Sequence, residues 1–226
     1  MASVQNDQLA SGYRPSATPP PGGAGSGVQI SEVLSFLRTV GILVILAVFL
    51  RGSVVEAFKI PSGSMIPTLM IGDHILVSKF SYGLRLPFFR KSIYQFSTPR
   101  RGDVVVFTRP DDPSTPHEDE SQINIIKRVI GLPGDTVEVR GTTVYINNSP
   151  LSESYARWEE GGVVEGNFGP EIVPAGHIFL MGDNRDHSKD SRYWTDPFLD
   201  VGLVKGRALI IYWSWDSLSR ISTLIR

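Results

Sequence analysis

A chain of 226 residues is long enough for one domain of ordinary size with appendages, and with 41% hydrophobic and 20% charged residues most of it can bury a core. Its 22 basic residues nearly balance 23 acidic ones, for a net charge of −1, so it lacks the basic excess that a nucleic-acid-binding face requires. There is no cysteine, which excludes disulfides, thiolate metal sites and a cysteine nucleophile.

Residues 1–30 read as a tail. Pro19, Pro20, Pro21, Gly22, Gly23, Gly25 and Gly27 sit among Ser and Ala. A segment of this composition cannot bury enough apolar surface to offset its ordering entropy, so disorder is expected. Residues 31–57 are apolar. The uncharged run 39–50 makes a helix of only about 18 Å, too short for a hydrocarbon core of about 30 Å. Extended from Leu34 to Val54 it reaches the required length, with Arg38 and Arg51 near the ends, where long cationic side chains can snorkel. The reading is one membrane-spanning helix. A cleaved signal peptide is the rival, because Val55-Glu56-Ala57 has small residues at cleavage spacing. Against it stands the long Pro/Gly-rich leader. Basic residues flank both ends, so charge alone does not orient the span.

Residues 58–226 have the texture of a β domain. Strands are expected at residues 75–77, 104–107, 125–126, 136–139, 143–146, 178–180 and 209–213. Gly-Asp pairs at 72–73, 102–103 and 134–135 turn the chain into strands, whereas Gly182-Asp183 opens a polar loop. Residues 110–121, acidic and Pro-containing, are expected to form an exposed loop. The fold class is mainly β, one compact domain preceded by a helix and a tail.

Three stretches carry possible chemistry. In Pro61-Ser62-Gly63-Ser64-Met65-Ile66-Pro67-Thr68-Leu69, two prolines and a glycine fix an irregular backbone around two serines. A serine nucleophile needs such a rigid, exposed turn, although a plain connector has the same composition. Lys127 interrupts the apolar run 125–130, where desolvation would lower its pKa and let it act as a base; an edge-strand lysine facing solvent is the plainer reading. Residues 182–194 form a dense polar loop, either a solvated turn or a rigid functional one.

Taken together and in order, these stretches resemble the sequence boxes of bacterial type I signal peptidases. The resemblance rests on Pro61-Ser62-Gly63-Ser64-Met65 with Pro67-Thr68-Leu69, Gly72-Asp73, Arg101-Gly102-Asp103, Ile126-Lys127-Arg128 with Gly131-Leu132-Pro133-Gly134-Asp135, and Gly182-Asp183-Asn184-Arg185-Asp186 with Ser188 and Asp190-Ser191-Arg192. It covers about residues 33–213. It implies a β catalytic domain of signal-peptidase type in which Ser64 is the nucleophile and Lys127 the general base. Ser62 would join the Ser64 N–H in an oxyanion hole, and Ser188 would orient the lysine. Asp183 would pair with Arg128 and Asp190 with Arg192 as structural buttresses. Ile60, Met65, Leu69 and Ile126 would wall the pockets for small P1 and P3 residues.

The resemblance further implies that signal peptides of exported preproteins are the substrates, cut after Ala-X-Ala-type sites. The other implied partners are the lipid bilayer and, nearby, the translocation machinery. The catalytic domain would lie outside a bacterial plasma (inner) membrane, or at a thylakoid membrane, with the tail cytoplasmic. No cofactor, metal or nucleic acid is expected. His187 stands where many relatives carry Asn, and Thr195 where Gly is usual; both departures are expected to touch loop packing rather than chemistry. An inert membrane-tethered β binding module and a Ser-Lys peptidase of another class are the alternatives.

Overall fold

The computed structural model describes residues 30–53, 55–84, 94–95, 97–108, 124–159 and 167–226. The tail before Ile30 and the acidic loop 110–121 lie outside the described residues. The chain divides into two units, residues 1–42 and 43–226.

Helix α1 (Ile30–Ser53) has 24 residues, about 36 Å at 1.5 Å per residue. Its apolar side chains from Ile30 to Leu46 are exposed, Ile45 at 71% and Phe36 at 66% among them. A helix apolar all round is not a surface helix of a soluble domain, and this one is long and apolar enough to cross a membrane. It stops short of the expected residue 57. Gly52 and Ser53 weaken the helix, and residues 55–57 belong instead to a strand, β1 (Val55–Lys59).

Thirteen further strands follow among the described residues: β2 (Asp73–Ser78), β3 (Gly83–Leu84), β4 (Tyr94–Gln95), β5 (Val104–Thr108), β6 (Asn124–Gly131), β7 (Thr136–Arg140), β8 (Thr143–Ile146), β9 (Ser149–Pro150), β10 (Phe168–Ile172), β11 (His177–Met181), β12 (Phe198–Asp200), β13 (Val204–Ser214) and β14 (Thr223–Leu224). The main sheet runs β1-β2-β13-β5-β6-β11-β12, with β14 added beside β13. A second sheet runs β10-β7-β8-β9, and β3 pairs with β4. Every one of these pairings is antiparallel.

Each of the seven expected strands falls within an observed one. Two differences have local causes. Strand β13 begins at Val204, five residues before the expected 209, because Lys205, Gly206 and Arg207 break the apolar pattern. Gly206 is required there: a Cβ would overlap the Ser78 carbonyl oxygen of β2. Strand β10 has no alternating pattern. It carries Gly169 at φ 74° and a shift of register against β7, so only pairing with β7 defines it.

Strand β6 meets all three apolar clusters of the domain. Ile126 packs with Ile60, Met65, Leu69, Ile75 and Ile211. Ile125 and Val129 join Phe107, Leu180 and Trp194, and Ile130 joins Val137, Phe179 and Met181. A strand buried on both faces reads as an apolar run. Lys127 and Arg128 therefore carry their charges into the interior, which sets up the site.

Candidate active site

The turn that holds Ser64 lies between β1 and β2. The antiparallel pair is closed at its base by Ile60 N–H to Asp73 O (2.8 Å) and Gly72 N–H to Ile60 O (2.9 Å). Inside the turn, Leu69 N–H donates to Met65 O at 2.9 Å. Met65 and Leu69 are fully buried in the cluster with Ile60 and Ile126. Burying two such side chains contributes a few kcal/mol (about 1.5–3 each). They act as pegs that hold the partly exposed Ser64 in one place. Ser62 is exposed two residues earlier. The four residues expected to wall substrate pockets are thus core residues, Ile126 retaining the most exposure at 9%.

Lys127 faces Ser64 from β6. Register pairs it with Val105 and Arg128 with Val104. Its Nζ lies 2.7 Å from Ser64 Oγ, in a hydrogen bond. Burial pulls the ammonium pKa down to about 8, against the opposing pull of Asp190 and Asp183, with Arg192 adding to the lowering. The cause is desolvation, which disfavours the charged form.

Arg128 is buried beside it, and its five N–H donors all find acceptors. Nε and Nη2 hold Asp183 in a bidentate pair at 2.8 and 2.7 Å. Nη1 donates to Gly102 O at 2.7 Å and to Arg226 O at 2.8 Å. Nη2 also donates to Thr68 Oγ1 at 3.3 Å, and Thr68 in turn donates to Asp183. The Tyr155 ring lies 3.9 Å from the guanidinium carbon. Thr68 joins this pair to a second one, because Arg220 Nη2 donates to Thr68 O at 3.0 Å and to Asp73 Oδ2 at 2.7 Å. Ser214 Oγ and the Met70 N–H complete the shell of Asp73.

The loop after β11 presses on the turn from the other side. Asp190 and Arg192 pair through Nε–Oδ1 (2.9 Å) and Nη2–Oδ2 (3.0 Å), and Asp190 also accepts the Gly182 N–H at 2.9 Å. The Asn184 N–H donates to Ser64 O at 3.1 Å. Arg185 is buried against Glu153 at 2.9 Å. Gly182 sits so close that a Cβ would overlap both Ser188 Oγ and the Ser64 carbonyl oxygen. The Ser188 hydroxyl is buried beneath it without a partner among the described residues, and the lysine bonds Ser64 instead. His187 reaches outward to Glu159 at 2.7 Å, a surface pair, and Thr195 is exposed. Among the described residues no cluster of three or more His, Asp or Glu is placed to hold a metal ion.

Sequence reasoning singled out Ser64, Lys127, Arg128, Asp183, Asp190, Arg192 and Ser188, and the fold brings them together. It missed Thr68, Asn184, Tyr155 and the Asp73–Arg220 pair. Thr68 and Asn184 stood inside the quoted motifs. Nothing local marks Tyr155 or Arg220, which reach the site only through tertiary contacts.

Comparison with known proteins places the chain in a family. A family model described as signal peptidase, peptidase S26, matches residues 33–213. A signal peptidase I from Pseudomonas fluorescens is 41% identical over 199 residues, covering 74% of this chain and 67% of that protein. One from Leptolyngbya laminosa is 37% identical over 205 residues, covering 90% and 92%. A crystal structure of a signal peptidase I from Enterococcus faecalis aligns with TM-score 0.39 at 33% identity, over 49% of this chain and 97% of that one. With the family model spanning four-fifths of its length, the chain belongs to the signal peptidase family S26 and is a serine peptidase.

Proposed function

We propose that this protein is a membrane-anchored endopeptidase that removes signal peptides from exported preproteins, with Ser64 as nucleophile and Lys127 as base. The observation that carries the reading is the hydrogen bond of 2.7 Å between a partly exposed serine and a buried lysine whose pKa lies at about 8. At that pKa a useful fraction of the amine is neutral near physiological pH. Ser64 Oγ attacks the scissile carbonyl carbon as its proton passes to Lys127 Nζ. The oxyanion of the tetrahedral intermediate takes hydrogen bonds from the Ser64 N–H and the Ser62 hydroxyl. Lys127 then returns the proton to the leaving amine, and an ester on Ser64 remains. Water, deprotonated by the same lysine, attacks that ester and releases the new carboxyl terminus and the free serine.

The buttressing supports this role. Asp183–Arg128 and Asp190–Arg192 buttress the site, and Ser188, whose buried hydroxyl makes no hydrogen bond to a described residue, is the candidate for orienting the amine. An extended substrate adds as a strand beside the turn, with alternate side chains directed at the domain. Ile60, Met65, Leu69 and Ile126, packed together in the core beside the Ser64 turn, would give small P1 and P3 residues, as in Ala-X-Ala, an apolar floor. The anchor is α1, crossing a bacterial plasma or thylakoid membrane with the tail on the cytoplasmic side and the β domain on the other, near the translocation machinery.

The test is cleavage of a preprotein by the purified full chain, with the product's new N-terminus sequenced. Cleavage after a small residue, lost in Ser64→Ala and Lys127→Ala proteins that remain folded by circular dichroism, is the expected result. Near-native turnover in either variant would overturn the assignment.

A further inference from the structure

We propose that Asn184 is a positioning residue that aims the oxyanion donor. It orients the Ser64 N–H by holding the carbonyl of Gly63. The inference deepens the proposed function and rests on Ser64 being the nucleophile. Asn184 Nδ2 donates to Gly63 O at 3.1 Å, and the Asn184 main-chain N–H donates to Ser64 O at 3.1 Å. A single buried residue, 7% exposed, thus grips the carbonyls on both sides of the serine.

The Gly63 carbonyl and the Ser64 N–H are two ends of one peptide group. That group is planar and trans, so its C=O and N–H point in opposite directions. Fixing the oxygen therefore fixes the direction of the N–H. A donor on the oxygen also polarises the amide and strengthens its N–H as a hydrogen-bond donor. The Ile66 N–H reaches the same oxygen at 3.2 Å, so two donors converge on it. No described residue accepts from the Ser64 N–H. A donor held ready for charge that develops only in the transition state acts on turnover rather than on substrate binding.

Asn184 is itself held firmly. It forms a parallel bridge with Arg157, made by Arg157 N–H to Asp183 O (2.7 Å) and Arg185 N–H to Arg157 O (2.9 Å). The His187 N–H caps its carbonyl at 3.1 Å. Because the grip on Ser64 O is a main-chain contact, substitution removes only the contact to Gly63. That separates the aiming of the oxyanion donor from the placing of the serine.

The experiment uses the full chain in detergent micelles, with a peptide substrate carrying Ala at P3 and P1. Wild type is compared with Asn184→Ala, Asn184→Leu and Ser64→Ala. Both Asn184 variants should lose about 10- to 100-fold in kcat with KM within about twofold. The pH of the rising limb of kcat/KM should not move, since the base is untouched. Affinity for a peptide boronate, which forms a tetrahedral adduct on serine, should fall by the same factor as kcat. Binding of uncleaved signal peptide to Ser64→Ala should be unchanged by adding Asn184→Ala. Should both variants unfold, Asn184→Thr is uncharged and lacks the amide donor, and the same loss of kcat at constant KM is expected of it. Wild-type kcat in a folded variant, an equal rise in KM, or a displaced pH limb would each overturn the inference while leaving the nucleophile intact. Cleavage by Ser64→Ala would instead defeat the underlying assignment, and the inference with it.

Discussion

Lys127 carries a cost that its role explains. Its folded pKa of about 8 lies below the ordinary 10.5, so the folded state disfavours the ammonium form. Below pH 8 both folded and unfolded chains hold the proton, and the folded state bears the whole desolvation penalty, roughly 3 kcal/mol. Between pH 8 and 10.5 the unfolded chain binds more protons, so stability rises with pH. Above 10.5 both are neutral and the penalty is gone. A Lys127→Met protein should therefore be inactive yet more stable than wild type at pH 7, with the gap in melting temperature closing toward pH 10.5. A gap that stays constant across that range would show that the lysine is not the titrating group. Activity should follow the same proton, with kcat/KM rising to a plateau above about pH 8. Arg128 is buried with its charge paired. Its donors are all satisfied, so Asp183→Ala leaves a buried guanidinium without its carboxylate and should cost about 3–5 kcal/mol, read as a large fall in melting temperature.

At the scale of elements, the site is an interlock between the turn after β1, the middle of β6 and the loop after β11. Gly182 is the closest approach between the last of these and the turn, where a Cβ would overlap the Ser64 carbonyl oxygen. Gly182→Ala should displace the serine and lower kcat by on the order of 100-fold, since a misplacement of about 1 Å costs that much. A fully active alanine variant would mean the loop and turn are looser than this contact requires. The segment after β13 adds the Arg220 contact to Thr68 O from outside the motifs named above. Arg220→Ala should therefore reduce activity about tenfold by freeing the turn, a loss that kinetics on folded protein would detect. The regular elements were largely legible in the sequence because β2, β5, β7, β8 and β11 alternate or run apolar. β1 was hidden by its continuity with the apolar helix, β10 by Gly169 and Pro170 and its lack of alternation, and β12 by having only three residues.

At the scale of the whole molecule, two groups of exposed apolar side chains among the described residues bear on membrane contact. One lies along α1. The other lies in the β unit, where Trp215 is 72% exposed, Leu218 70% and Leu224 58%, and the Trp213 and Trp215 rings meet at 5.4 Å. Aromatic residues of this kind favour the membrane–water interface. A protein beginning at residue 54 should still sediment with liposomes, and Trp215→Ser should weaken that association. A truncated protein that remains in the supernatant would show that these side chains serve another purpose.

The sequence by itself marked seven of the fourteen strands, because those runs alternate or stay apolar, and its motifs, through their resemblance to the signal peptidases, implied the reaction type. Composition excluded thiol chemistry, and patterning separated the apolar span from the β region. Only the tertiary structure decided that Lys127 is buried enough to lose its proton near pH 8, since desolvation depends on what packs around β6 rather than on its neighbours in sequence. The same holds for Thr68 and Asn184. Each makes its decisive hydrogen bonds to residues more than 50 positions away, and no local pattern encodes a partner at that distance.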